Sequence, residues 1–332
     1  MKRVLSGIQP TGNLHLGNYL GFIKNNIDFL IKEKSEAFLF IADLHAITNL
    51  KDPTDLHQGT IKIAAAYLAC GLTPDVCNTF IQSKIPEHAE LGWILGCYTS
   101  LGWLNRMTQF KEKSVKYKEG AASLGLYSYP VLQAADVLLY QTDYVPVGED
   151  QVQHIELTKD IADTFNKRTG VDCFKLPKLK SLKGAGRIMS LRNGKKKMSK
   201  SDKSDYSRIN LTDSSDEIQK KIQKAKTDAI AGISFNTEER PEVSNLINIY
   251  GALSGISIEK VVDQYSSINC SLFKKHLSEL IVNVLEPISK RLKNFLNDKS
   301  YINEVLKKGF EVAQPIAEDT LKKVKEVVGF IQ

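Results

Sequence analysis

Short apolar runs alternate with helical patterns through the first half of the chain, and few folds other than a parallel sheet wrapped by helices tolerate that rhythm. Val4-Leu5 leads into a turn, after which Leu20, Ile23, Ile27, Leu30 and Ile31 recur at helical spacing. Phe38-Leu39-Phe40-Ile41 then reads as a buried strand ending before Asp43-Leu44-His45. A helix over 54–70, the strand Thr79-Phe80-Ile81-Gln82 and another helix after Pro86 extend the series with ordinary loop lengths. The expected fold class is α/β, a Rossmann-like doubly wound parallel sheet. Past residue 210 the strand signals fade. Helices are expected near 215–227 and from Pro241 to Leu253, with Gly255 just beyond the second. Leu277, Leu280, Ile281, Val284, Leu285, Ile288, Leu292 and Phe295 form one long stripe, which Pro287 should kink. The expected organisation is an α/β domain over 1–205 followed by a C-terminal α-helical domain over 206–332.

Ligands of a doubly wound sheet bind beyond the carboxyl ends of its strands, and two polar segments of this chain are candidates to meet there. The first is the turn Pro10-Thr11-Gly12-Asn13-Leu14-His15-Leu16-Gly17-Asn18. Gly12 and Gly17 remove side chains where backbone must pass a ligand, while His15 and Asn18 set neutral donors at the positive end of a helix. The second is Lys197-Met198-Ser199-Lys200-Ser201, within a stretch from Lys175 to Lys203 that holds eleven basic residues, the single acid Asp202, and Gly184, Gly186 and Gly194. A mobile, cationic loop of this kind suits a triphosphate: ammonium groups supply movable charge, hydroxyls and backbone N–H groups add donors, and glycines permit closure. Read singly, the first segment is a capped turn and the second a solvated basic loop. Together they point to adenylate chemistry on ATP.

A third cluster lies in Tyr129-Pro130-Val131-Leu132-Gln133-Ala134-Ala135-Asp136, where Tyr129, Gln133 and Asp136 share one side of an otherwise apolar helix. A buried carboxylate needs a donor: an indole N–H or phenol of a bound amino acid would satisfy Asp136, as would an internal lysine or a helix cap. In Val145-Pro146-Val147-Gly148-Glu149-Asp150-Gln151 a strand ends in glycine and opens a helix, so that Gly148 admits a base or ribose and Asp150 is available to a hydroxyl or ammonium. An acidic first helical turn explains the same residues.

The 332 residues, 42% of them apolar, are enough for a packed core, and a net charge of +7 favours a polyanionic partner without histone-like excess. Cys70, Cys77, Cys97, Cys173 and Cys270 are too scattered for a disulfide framework and form no Cys-x-x-Cys half-site, so a reducing cytoplasm is expected and no metal site of the protein's own. No stretch reaches ~18 uninterrupted apolar residues, and the N-terminus turns to glycine before a signal core develops. The chain is expected to be soluble, uncleaved and free of the membrane.

The two polar segments, in this order and at this separation, resemble those of class I aminoacyl-tRNA synthetases, with His15-Leu16-Gly17-Asn18 as a variant first motif. Ser6-Gly7-Ile8-Gln9-Pro10, Met107-Thr108-Gln109-Phe110-Lys111-Glu112-Lys113-Ser114, Ala134-Ala135-Asp136, Val147 to Gln151 and Arg187-Ile188-Met189-Ser190-Leu191 resemble the bacterial-type tryptophanyl-tRNA synthetase family. The resemblance spans nearly the whole chain and is strongest to about residue 205. It implies that ATP lies against Gln9, Pro10, Thr11, Gly17 and Asn18, with Gly148, Glu149, Asp150 and Ile188 near the nucleoside. Lys197, Met198, Ser199, Lys200 and Ser201 would close over the phosphates, Lys113 would add charge, and Mg2+ would come with the ATP. By the same resemblance Asp136 accepts the indole N–H, Tyr129 and Gln151 hold the amino acid head beside Gln133, and Gly7, His45, Val145 and Val147 shape the indole slot. Residues 206–332 would then bind the anticodon of tRNA(Trp), and the protein would be a homodimer. Many bacterial members carry methionine where this chain has Gln133, and related tyrosine enzymes carry glutamine there. Leu5 likewise replaces a common phenylalanine. A tyrosine-specific synthetase, a small-molecule adenylyltransferase and a non-catalytic tRNA-binding paralogue are the alternatives.

Overall fold

The computed structural model describes residues 1–10, 12–48, 52–107, 123–148, 151–181 and 187–331. Strand β1 (Arg3–Ile8) leads to α1 (Leu16–Asn18), a π-helical segment (Tyr19–Ile23) and α2 (Lys24–Glu33). Next come β2 (Glu36–Ile41), α3 (Asp43–Ala46), α4 (Pro53–Ala69) and β3 (Asn78–Ile81), then a 3-10 turn (Gln82–Lys84), α5 (Glu87–Gly96) and α6 (Leu101–Asn105). The sheet is completed through α7 (Leu124–Leu139), β4 (Tyr144–Val147), α8 (Val152–Thr169) and β5 (Lys178–Ser181). A hairpin of β6 (Met189–Ser190) and β7 (Asn193–Lys197) precedes α9 (Ser215–Gln223), α10 (Pro241–Ser254), α11 (Ile258–Tyr265), α12 (Cys270–Asn297) and α13 (Ser300–Val327).

The five-stranded sheet is parallel, in the order β3-β2-β1-β4-β5. Connections leave β1 toward β2 on one side and return to β4 on the other, which makes the end of β1 the point where the strand order turns. Alternation along each strand sorts side chains to two cores. Val4, Leu39 and Ile41 join one with α4, α10 and α12, whereas Leu5, Phe38, Phe40, Phe80 and Val145 join the other with α5, α7 and α8. The α/β expectation holds, and so does the change to helices after residue 210.

Local signals account for several boundaries. Asp52 caps α4 by accepting the Thr54 N–H at 2.9 Å, and α10 ends at Gly255, whose φ of 75° suits a glycine stop. One expectation changes. The basic stretch is partly a β-hairpin rather than a loop: Leu191-Arg192 makes the two-residue turn, Ser190 pairs with Asn193, and Gly194 in the second strand packs on the first turn of α10. Helix α12 runs on through Pro287, which sits on its exposed face while Leu277, Ile281, Leu285, Ile288 and Leu292 stay buried. Helix α13 then returns to the sheet. Gly309 permits the approach, since a Cβ there would lie 1.9 Å from the Thr79 carbonyl oxygen. Beyond it Ala313, Ala317, Leu321 and Val324 enter the second core. None of the described helices is long and apolar enough to cross a membrane.

Candidate active site

The turn after β1 ends in a reciprocal cap. His15 Nδ1 accepts the Asn18 backbone N–H at 3.3 Å, and Asn18 Oδ1 accepts the His15 backbone N–H at 3.1 Å. The cap uses up the acceptors and spares the donors: the ring proton of His15 is left on Nε2, and the Asn18 amide nitrogen has no bond among the described residues. Burial, and then the charges of Lys200, Arg208 and Lys197, push the His15 pKa down to about 4, so the ring is a neutral donor near neutral pH. Gly17 faces inward at the same place, with a would-be Cβ 3.1 Å from the His15 ring and 3.4 Å from Met198 Cβ.

The two polar segments meet. Leu16 N–H donates to the Ile209 carbonyl at 2.8 Å and Leu211 N–H to the Leu14 carbonyl at 3.0 Å, making a short antiparallel bridge between His15 and Asn210. Asp213 holds the far side by accepting the Asn210 N–H at 2.9 Å, and the buried Lys221 ammonium lies 2.5 Å from Asp213 and 2.6 Å from Asp205. Met198 is buried, and its N–H donates to the Ile188 carbonyl at 3.1 Å, so this methionine anchors the segment in the core while its neighbours stay outside. Lys197 is exposed, and the Ser199 and Ser201 hydroxyls lie 2.9 Å apart. The stem of Lys200 crosses Gly12: a Cβ at Gly12, where φ is 64°, would be 3.0 Å from Lys200 Cδ. Burial lowers the Lys200 pKa, which marks an ammonium drawn partly out of water toward the first turn.

Asp136, on the inner face of α7, has no exposed surface. Its partners are two histidines and a glutamine rather than a lysine. Oδ1 receives Gln82 Nε2 at 2.7 Å and His88 Nδ1 at 2.7 Å, and Oδ2 receives His45 Nε2 at 2.8 Å. Burial would raise the Asp136 pKa, but the His45 and His88 rings outweigh it and bring the carboxyl down to about 2. The Tyr140 hydroxyl lies 2.8 Å from His88 Nε2. Burial, reinforced by the nearby Asp136 charge, holds that phenol far above its ordinary pKa and therefore protonated.

Tyr129 lies beside this cluster, its ring edge-on to His45 at 6.2 Å and its hydroxyl 3.0 Å from His154 Nε2. Gln133 Nε2 donates to Gln151 Oε1 at 3.3 Å, which ties α7 to the start of α8. Gly7 accepts the face of Phe40, since a Cβ there would lie 2.4 Å from that ring, and Pro10 packs its carbonyl on Gly59 of α4. Val145 is buried, Val147 is half-buried at the end of β4, and Gly148 and Gln9 are exposed at strand ends. Ile188 is buried under Met198. Thr11, Lys113, Glu149 and Asp150 lie outside the described residues. Gln82, His88, Tyr140 and His154 were not among the sequence candidates. The available signal was weak: a histidine soon after Pro86 and a polar residue ending a strand are also common structural choices.

A family model described as tRNA synthetases class I (W and Y) matches residues 1–286. The tryptophan–tRNA ligase of Rickettsia felis is 51% identical over 330 residues, covering 99% of both chains. That of Prochlorococcus marinus is 47% identical over 334 residues, covering 100% of this chain and 98% of the relative. Among solved structures, the tryptophanyl-tRNA synthetase of Mycoplasma pneumoniae superposes with a TM-score of 0.87 at 35% identity, covering 100% of this chain and 98% of that one. The Campylobacter jejuni enzyme, solved with ADP and tryptophan, gives 0.83 at 35% identity over 99% of this chain and 100% of that one. This chain belongs to the class I tRNA synthetases of the tryptophan and tyrosine group.

Proposed function

We infer that the chain is a tryptophan–tRNA ligase: it activates L-tryptophan with ATP to tryptophanyl-adenylate, releases pyrophosphate, and transfers tryptophan to the 3′-terminal adenosine of tRNA(Trp). The observation that carries this reading is the contact of Lys200 with Gly12, which sets an ammonium over the turn that holds the His15 and Asn18 donors. The full-length likeness to tryptophan–tRNA ligases supports the choice of amino acid.

In the first step the tryptophan carboxylate attacks the α-phosphorus in line, and pyrophosphate leaves. No enzyme nucleophile is required. His15 Nε2–H and the Asn18 amide donate to α-phosphate oxygens as charge builds on them, so their effect is largest in the transition state. Lys197, Lys200 and Lys113, with the Ser199 and Ser201 hydroxyls, take up charge on the leaving group. Gln9, Pro10, Thr11 and Gly17 line the nucleotide, with Gly148, Glu149, Asp150, Ile188 and the Met198 backbone around it. Mg2+ would come with the ATP and would neutralise charge on its phosphates.

Asp136 Oδ2 accepts the indole N–H, because among the described residues it has one partner and a carboxylate oxygen takes two. Gly7, His45, Val145 and Val147 bound the slot, while Tyr129, Gln133 and Gln151 lie at the amino acid head. Asp136 has no exposed surface, so tryptophan enters by moving the side chains that cover it. Residues 1–205 form the catalytic part and 206–332 the part that meets the anticodon, with α13 leaning back on the sheet. Trp93, Leu101 and Leu124, exposed by 76%, 68% and 79% on α5, α6 and the first turn of α7, suit the contact of a homodimer. Free thiols at all five cysteines suit a cytoplasmic location.

Exchange of labelled pyrophosphate into ATP, run with each of the twenty amino acids, tests the reading. Tryptophan alone should support it, and tRNA(Trp) should then be charged. Exchange with tyrosine would make the protein a tyrosine enzyme, and tRNA binding without exchange would make it a non-catalytic paralogue.

A further inference from the structure

The two oxygens of Asp136 lie in different surroundings. Oδ1 points to the rear, where Gln82 and His88 both donate to it and fill its acceptor capacity. Behind them Phe40, Phe80 and Tyr140 pack around the His88 ring at centroid distances of 5.9, 6.1 and 5.5 Å, and His88 has no exposed surface. Oδ2 points to the front, toward His45, whose ring is in T-shaped contact with Tyr129. With His88 neutral, the rear chain of bonds has one direction. Nδ1 of His88 must carry a proton to face a carboxylate, so in the neutral ring Nε2 is the acceptor and the Tyr140 hydroxyl donates to it. A reversed tautomer would set two acceptors against each other at Asp136.

We propose that His88, whose Nδ1 proton faces the carboxylate while Tyr140 donates to its other nitrogen, is a positioning residue that locks the Asp136 rotamer and leaves a single acceptor position, on Oδ2, for the ring N–H of tryptophan. The proposal rests on the reading of Asp136 as the indole acceptor. Selectivity for an N–H donor follows from the count. With three protein donors in place, the fourth position is complete only when the ligand brings a donor, and a ligand without one leaves buried charge unmatched. Without His88 the carboxylate is free to turn, and Gln82, whose Oε1 has no partner among the described residues, can turn with it.

The test compares tryptophan with β-(benzothiophen-3-yl)alanine, in which sulfur replaces the ring N–H with little change of shape, by kcat/KM in pyrophosphate exchange or by Ki where the analogue is not activated. His88→Leu is expected to lower kcat/KM for tryptophan by about 10–100-fold, mainly through KM, and to change the analogue by no more than about 3-fold. His88→Asn, whose amide can donate from the Nδ1 position, should recover most of the tryptophan preference, and Tyr140→Phe should lose about 3–10-fold of it. Both milder variants carry the test if His88→Leu does not fold. Equal losses for the two ligands would assign His88 a purely structural role and overturn the proposal. Asp136→Asn in the same assay separates the two layers. If it abolishes the preference while the His88 and Tyr140 variants keep it, the positioning role fails alone; if it leaves the preference intact, the indole reading fails first.

Discussion

Gly12→Ala tests whether the two motif segments act as one body. The φ of 64° at Gly12 is left-handed, where an L residue is less stable by about 1–2 kcal/mol. The new methyl would also lie 3.0 Å from Lys200 Cδ, well inside the ~3.5–4.0 Å at which carbon atoms rest. The lysine stem must therefore move by roughly 0.5–1 Å, and misplacement on that scale costs up to about 10²-fold in rate. Alanine acts by two routes, strain in the turn and displacement of the ammonium, and only the second disappears once Lys200 has been truncated. Lys200→Ala alone should lower tryptophan-dependent pyrophosphate exchange by about 10²-fold, the scale of one transition-state donor, with little change in tryptophan affinity. Gly12→Ala alone should cost about 10–30-fold. Added to Lys200→Ala, it should cost no more than about 5-fold, a coupling of about 1 kcal/mol. Thermal unfolding of the four proteins isolates the strain, which should be the same in both backgrounds. Rate losses that simply multiply would refute the idea that this contact serves catalysis.

Three further outcomes follow from the same geometry. An NMR titration of His15 should find a pKa near 4, and Lys200→Ala should raise it, because that charge is a depressing cause second only to burial; an unmoved value would separate the segments in solution. The folded value lies below the ordinary histidine value of 6.5, so the unfolded chain takes up the proton first: this group's share of stability is complete above about pH 6.5 and lost by about pH 4, up to about 3 kcal/mol, and His15→Gln should flatten the denaturant midpoint between pH 7 and pH 5. Asp136→Asn should weaken selection of tryptophan over phenylalanine by about 10–100-fold in exchange, since one amide oxygen cannot serve four donors; unchanged selection would move recognition elsewhere. Gly309→Val must push α13 off the Thr79 backbone and should destabilise by about 3 kcal/mol in urea unfolding, and a midpoint shift under a quarter of that would mean the helix does not dock there in solution.

The sheet was legible because burial on both faces writes itself as continuous apolar runs. Phe38 to Ile41 has no polar position to place on either side, which a strand covered by two layers of helices requires. The helices after residue 210 were legible for the opposite reason, since their apolar positions are periodic. The return of α13 to β3 was not. It depends on Gly309 meeting the Thr79 backbone far away in sequence, and a lone glycine within a helical pattern carries no address. The hairpin that turns at Leu191-Arg192 was hidden by composition, because lysines that read as a solvated loop are equally at home on an exposed two-stranded ribbon.

The active site divides along the same line. His15, Asn18 and Lys200 stand in short segments whose residue order is itself the signal; the cap between His15 and Asn18 is set by local backbone, while the bridge from His15 to Asn210 brings Lys200 to it. The surroundings of Asp136 come from three separate elements, α3, the turn after β3 and α5, each contributing one donor at 2.7 to 2.8 Å. Nothing local makes Gln82, His45 or His88 distinctive, for each sits where a strand or helix happens to end. Only the parallel pairing of β1, β2 and β3 brings their carboxyl ends beneath α7 and turns scattered donors into one shell around a carboxylate. A sequence can therefore announce that Asp136 needs a donor, while the number already supplied by the protein, and hence the one place left for a ligand, is a property of the assembled sheet.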